Sequence, residues 1–243
     1  MLGRFVVLSS QLPELVEQLG SLGLSKPVDT SVLSSDWVSE REQVIAFLNE
    51  HSSLLQIGAI EQKWKERLPL PGTQPVYVET SLNKSLKERL TLIKQAGCFA
   101  KIRLGGLEAS SFPDSPAVLE FLRTCASLDL AFKATAGLYH PFPASRPVLN
   151  DDNAPIGPMH GFVNVLLATA LIQREIANKT LVLELLDERD STAFVVGDDG
   201  IRFRDQLITL VELESARAQF HSIGSCSFDV PLHDLQHAGW LTP

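Results

Sequence analysis

Residues 130–137 read LAFKATAG, a single lysine set among alanines and apolar residues and closed by a glycine. The run is short and bounded by a turn-forming residue, so it reads as a buried strand rather than a helix. Successive side chains of a strand point to opposite faces. Lys133 and Thr135 therefore share one face, and Phe132 and Ala134 share the other. The apolar face suits a cover of helices. The face with the cation needs other polar groups around it.

The flanking sequence repeats this two-sided pattern. CFAKIRLGG (98–106) sets Phe99, Lys101 and Arg103 against Ala100, Ile102 and Leu104, and PVYVET (75–80) sets Tyr77 and Glu79 against Val76, Val78 and Thr80. Further short apolar runs, RFVVLSS (4–10), LLQIGAI (54–60) and FHSIGSCSF (220–228), read as strands too. Between them lie segments of helical period. QLPELVEQLGSLG follows the first strand, and SEREQVIAFLNEH precedes the second with Ser39 as its N-cap. SLKERLTLIKQAG (85–97) stops at Gly97, and SPAVLEFLRTCASLD (115–129) opens with Ser115 as cap and Pro116 at the first helical position. Later, GPMHGFVNVLLATALIQREIAN (157–178) reads as a long buried helix and TLVLELLDERD (180–190) as either strand or helix. AFVVGDDGIRFR (193–204) reads as a β-hairpin turning at Asp199-Gly200, and QLITLVELESARAQF (206–220) as a helix. Residues 25–36, 65–75 and 143–158 have loop composition.

Strands alternating with helices give either an open doubly wound sheet or a closed barrel. RLGGLEAS lacks the GxGxxG spacing of a dinucleotide site. The expected fold is therefore α/β, a (β/α) TIM-barrel-like domain, either complete or incomplete and irregular, with a hairpin insertion near 193–204. A single domain spanning 1–243 is expected.

In such a barrel the polar sets converge, bringing Glu79, Lys101, Arg103, Lys133 and Thr135 towards one cavity at the carboxyl ends of the strands. Three cations against one carboxylate leave positive charge uncompensated, which is costly unless the residues pair among themselves or an anion binds. Gly224, Ser225 and Cys226 follow on the last strand, where small residues run into a short helix whose first N–H groups can hold an anion. His140 lies just beyond the lysine strand and suits acid–base chemistry. His160 and Asn164, one helical turn apart, are candidates for lining the same cavity. Asp151, Asp152 and Asn153 with a histidine or Glu79 keep a divalent ion open, although no ligand spacing is diagnostic. The reading assigns no cofactor and no metal ligand.

Composition narrows the class. The 243 residues carry 21 Lys+Arg against 29 Asp+Glu, a net charge of −8, with no basic run suited to nucleic acid. The longest apolar stretch, residues 162–172, is shorter than the roughly 20 residues that span a bilayer. Three widely spaced cysteines, Cys98, Cys125 and Cys226, suggest neither a disulfide framework nor a zinc site and fit a reducing cytoplasm. The expected partner is a small anionic molecule, with no nucleic acid, no membrane and room for a homo-oligomer.

FKATAGLYHPF, MHGFVNVLLATAL and IGSCSFDVPLHDL together resemble an uncharacterised bacterial protein family over nearly all of the chain, some of whose members carry additional upstream sequence. Locally, FKATAGL resembles the Schiff-base lysine strand of class I deoxyribose-phosphate aldolases and IGSCS their phosphate-binding last strand, over about a dozen residues. The resemblance implies Lys133 as the Schiff-base lysine and Gly224–Ser225 as part of a phosphate site. It also implies a second lysine on the next strand, whereas the only later lysine here is Lys179. A lysine amine attacks a carbonyl only when unprotonated, a form that burial and nearby cations favour. The functional expectation is a lyase or aldolase-type enzyme acting on a small phosphorylated or carboxylated carbonyl compound. The alternatives are a non-catalytic anion-binding or scaffold protein and a metal-dependent lyase or isomerase.

Overall fold

The computed structural model describes residues 3–70, 72–147, 156–174 and 178–241. In chain order the elements are β1 (Phe5–Leu8), α1 (Leu12–Gly20), β2 (Val28–Leu33), α2 (Trp37–Glu50), β3 (Leu55–Lys63), β4 (Val76–Glu79), α3 (Leu86–Gln95), β5 (Phe99–Arg103), α4 (Ser115–Ser127) and β6 (Phe132–Thr135). There follow β7 (Ala144–Pro147), β8 (Ile156–Met159), α5 (Phe162–Ile172), α6 (Lys179–Asp187), β9 (Phe194–Gly197), β10 (Gly200–Phe203), β11 (Gln206–Thr209), α7 (Leu210–Gln219), β12 (Phe220–Gly224) and α8 (Asp229–His237).

The protein is mixed α/β, and its main sheet has seven strands in the order β1-β2-β3-β4-β5-β6-β12. Pairing is parallel at β1-β2, β2-β3, β3-β4 and β6-β12. The first six strands follow one another without the reversal of order that marks a doubly wound sheet. Among the described residues the order stops at β1 and at β12, so the sheet is not a closed barrel. Of the expected barrel-like forms, the closed one is thereby excluded. By contact the chain divides into two compact units, Met1–Thr80 with Thr91–Ala100, and Ser81–Leu90 with Lys101–Pro243.

In the first unit, Val32, Ile60, Val76 and Val78 are fully buried on the strands, with Leu12, Leu15 and Leu19 of α1 and Val44 and Leu48 of α2 in the core. β1 is an edge strand and leaves Phe5, Val6 and Leu8 exposed. β2 falls in a stretch expected to be loop. Its Asp, Thr and Ser mimic turn composition, but Thr30 and Val32 are buried and Ser31 Oγ donates to Glu61 at 2.6 Å. α2 begins at Trp37, ahead of the expected cap, and Ser39 Oγ only returns to the Asp36 carbonyl. Glu40 reaches back to the Asp36 N–H instead.

In the second unit, α5 is apolar around nearly its whole circumference because α4, α6 and α7 all pack on it. Phe132 stacks on Phe220 of β12 and meets Phe121 of α4 edge-on. Asp114 rather than Ser115 caps α4, its carboxylate accepting from the Ala117 N–H at 2.9 Å. The long helix expected over 157–178 is shorter: residues 156–159 pair with β7, and α5 starts at Phe162. The ambiguous segment is helix α6, N-capped by Asn178. The expected hairpin is present as β9 and β10, but its turn is Asp198-Asp199 rather than Asp199-Gly200, because Gly200 already pairs with Gly197; β11 adds a third strand where helix was expected. Thr209 ends that strand and opens α7 with a reciprocal capping box to Glu212.

Candidate functional site

Because Phe132 faces α4, Lys133 lies on the opposite side of β6. Its neighbours follow from the strand register. Ser222 pairs with Lys133 and Gly224 with Thr135 on one side. On the other, the Leu104 N–H donates to the Thr135 carbonyl at 2.9 Å, which in a parallel ladder sets Arg103 beside Thr135 and Lys101 beside Lys133. One row across three strands is thus Lys101, Lys133 and Ser222, and the next row towards the carboxyl ends is Arg103, Thr135 and Gly224. The inner row is shielded, with Lys101 3% and Lys133 5% exposed, and neither is left without an interaction. In the outer row Arg103 is exposed and Thr135 and Gly224 are half-buried.

Two backbone features shape the open end. A Cβ on Gly224 would lie 2.7 Å from Thr135 Oγ1, so the absent side chain leaves room above that row. After β6, Ala136 and Gly137 are consecutive left-handed residues, with φ of 57° and 62°. At Gly137 a Cβ would also fall 2.4 Å from the Leu104 carbonyl oxygen, so only glycine fits. This turn sends the chain back across the strand ends and places Tyr139. Burial, with a hydrogen bond to Cys226, pushes the Tyr139 phenol up to about 12, while the Arg103 charge and the Gly137 N–H act in the opposite sense. Tyr139 therefore joins the ends of β5, β6 and β12.

The loop from β12 to α8 is tied by its own hydroxyls. Ser225 Oγ donates to the Ser227 carbonyl at 2.6 Å, and Ser227 Oγ accepts from the Val230 N–H in the first turn of α8. Cys226 between them is exposed. The other thiols are buried: burial pushes Cys98 up to about 11 and Cys125 further up.

His140 has its backbone carbonyl held by the Phe162 N–H at 3.1 Å and its Nδ1 at 2.5 Å from Asp234 Oδ2 on α8. The imidazole retains 15% exposure. His160 and Asn164 spend their donors elsewhere. His160 Nε2 donates to the Pro113 carbonyl at 2.7 Å, and burial lowers its pKa below the ordinary histidine value. Asn164 Nδ2 donates to the Leu185 and Glu188 carbonyls at 2.6 and 2.9 Å, stapling α5 to the end of α6. Glu79 ends β4 opposite Lys63 in the first unit, half-buried and with an interaction of its own.

Thus Lys101, Arg103, Lys133, Thr135 and Gly224 share one face, with Ser225, Cys226 and His140 on the segments leaving that end. Tyr139 and Asp234 belong with them and were not singled out from sequence. Neither was Glu61, a fully buried carboxylate of β3, just past the end of the run read as strand. Among the described residues no group of three or more His, Cys, Asp or Glu can hold a metal ion. Asp151, Asp152 and Asn153 lie outside the described residues. No protein-family model, curated protein or solved structure matches the chain.

Proposed function

We propose that this protein is an aldolase-type lyase that takes a small phosphorylated or carboxylated carbonyl compound over the ends of β5, β6 and β12 and engages it through Lys133. The observation that carries this reading is the paired rows: a shielded lysine amine beside a second lysine, directly below a step left open by Gly224. In this reading the sheet is that of an incomplete (β/α) barrel, with its chemistry at the carboxyl ends of the strands. Arg103 supplies an exposed cation for the anionic group, and Thr135 Oγ1 a hydrogen bond beside it. Gly224 and Ser225 let that group approach the backbone that leads into α8. The Lys133 amine adds to the carbonyl carbon, the oxygen leaves as water, and the resulting iminium accepts the electron pair of the carbon–carbon bond that cleaves next to it, becoming an enamine that takes up a proton; in the reverse direction the enamine donates that pair to form the bond. Hydrolysis returns the amine and the carbonyl product.

Borohydride trapping tests this. The protein is incubated separately with pyruvate, acetaldehyde, dihydroxyacetone phosphate and glyceraldehyde 3-phosphate, reduced, and mapped by peptide mass. At least one compound is expected to add to Lys133, and the adduct to vanish in Lys133→Ala while circular dichroism stays unchanged. No adduct with any of the four defeats the lyase reading. The engaged state of both lysines favours a second reading, a non-catalytic anion-binding protein. Phosphate binding without adduct formation is its signature.

A further inference from the structure

We infer that Asp234 is a positioning residue for His140, and that His140 moves the proton at carbon which a Schiff-base reaction at Lys133 requires. The inference rests on the lyase reading above and names a component that it leaves unassigned. Three observations carry it. The segment holding His140 and the helix holding Asp234 leave the same end of two hydrogen-bonded strands, β6 and β12, the end to which the lysine rows run, and meet each other there. His140 is held at two points, its backbone carbonyl by the Phe162 N–H and its ring by Asp234 on Nδ1. A carboxylate only accepts, so Nδ1 carries a proton, and the neutral form of the ring is the tautomer whose Nε2 presents a lone pair.

Anchoring α8 is the competing explanation for the pair. Asp234 is 37% exposed, however, and ion pairs at such positions contribute little to stability. The chain just past α8 has a better anchor in Trp240, whose ring lies 5.4 Å from Phe142 and 6.3 Å from Phe194. The 2.5 Å contact therefore fits control of tautomer and ring orientation better than attachment of the helix.

The step balances without an added reactant. With the substrate held as an iminium on Lys133, His140 Nε2 removes a proton from the adjacent carbon. The C–H electron pair becomes the C=C bond of an enamine, and the C=N pair moves onto nitrogen. On reversal the proton returns from Nε2–H. That proton exchanges with solvent, so in D2O the carbon acquires deuterium.

The experiment follows deuterium uptake into pyruvate and dihydroxyacetone phosphate by proton NMR, with the rate divided by the amount of Lys133 adduct trapped in parallel. His140→Gln is expected to lower this normalised rate roughly a hundredfold, the scale of general-base catalysis. Asp234→Ala is expected to lower it at least about tenfold, and Asp234→Glu to restore part of it. Nitrogen-15 shifts of the imidazole report the same effect without turnover: Nδ1 protonated in the wild type, a tautomer mixture in Asp234→Ala. Melting temperature should change little in any of the three. An intact adduct with unchanged exchange in Asp234→Ala, or a wild-type imidazole protonated on Nε2, overturns the inference alone. Absence of any adduct in the wild type overturns the lyase reading, and this inference with it.

Discussion

At the residue scale, the turn after β6 holds two neighbours of similar backbone and opposite tolerance. Gly137→Ala would put a side chain into the left-handed region and against the Leu104 carbonyl oxygen, and is expected to cost about 1–3 kcal/mol in urea denaturation. Ala136 already carries such strain at φ 57°, and Ala136→Gly should leave stability unchanged or raise it by up to about 1 kcal/mol. Gly224→Ala separates site from scaffold. Its Cβ meets the end of the Thr135 side chain rather than backbone, so calorimetry should show weaker phosphate binding with little loss of stability. The side of the strand on which Lys133 and Lys101 lie was legible because parity is a local property of a strand. Tyr139, Asp234 and Glu61 were not, because each acquires its role from a partner far off in the chain. The contact of His140 with Asp234 spans 94 residues, and no local pattern encodes it.

Elements were read correctly where periodicity was strong and misread where polar residues sat at their ends. β2 was hidden because its polar side meets Glu61 and so carries the same residue types as a turn. The cap of α4 was displaced by one residue because Asp114 and Ser115 are both able to accept from its free N–H groups and Asp114 does so, whereas at α2 the Glu40 and Gln62 side chains take the Asp36 and Trp37 N–H groups. Asp114→Ala should therefore lower stability by about 1 kcal/mol through loss of the α4 cap. Ser39→Ala, whose hydroxyl only reaches the Asp36 carbonyl, should have a smaller effect, and paired chemical melts of the two variants test the contrast. Ser115 has a different task, donating from the start of α4 to Asp187 at the end of α6. At the other end of the unit, the four residues before α7 became strand because Gly200 to Phe203 offered a ladder that a helix start would have left unpaired.

For the whole molecule, acid stability has an identifiable contributor. Hydrogen bonds from Arg174 first, and then from Thr209, hold the Glu212 carboxyl at about 2 against an ordinary 4.5. A folded value below the unfolded one means the stabilisation is complete above pH 4.5 and is lost as pH falls towards 2. Denaturation midpoints of wild type and Glu212→Gln should therefore differ most near neutrality and converge over that interval. The difference should be modest, because the carboxylate is partly solvated. Alternation of strand and helix announced a parallel sheet, but whether its margins meet depends on strand number and tilt, which pattern alone does not encode. Among the described residues no helix is long and apolar enough to cross a membrane. The margin at β1 has a practical consequence. An edge strand, as β1 is among the described residues, with bare Phe5, Val6 and Leu8 is a template for self-association. Replacing Phe5 by lysine should raise the concentration at which the protein begins to scatter light, because a charge there must be desolvated before another chain can add.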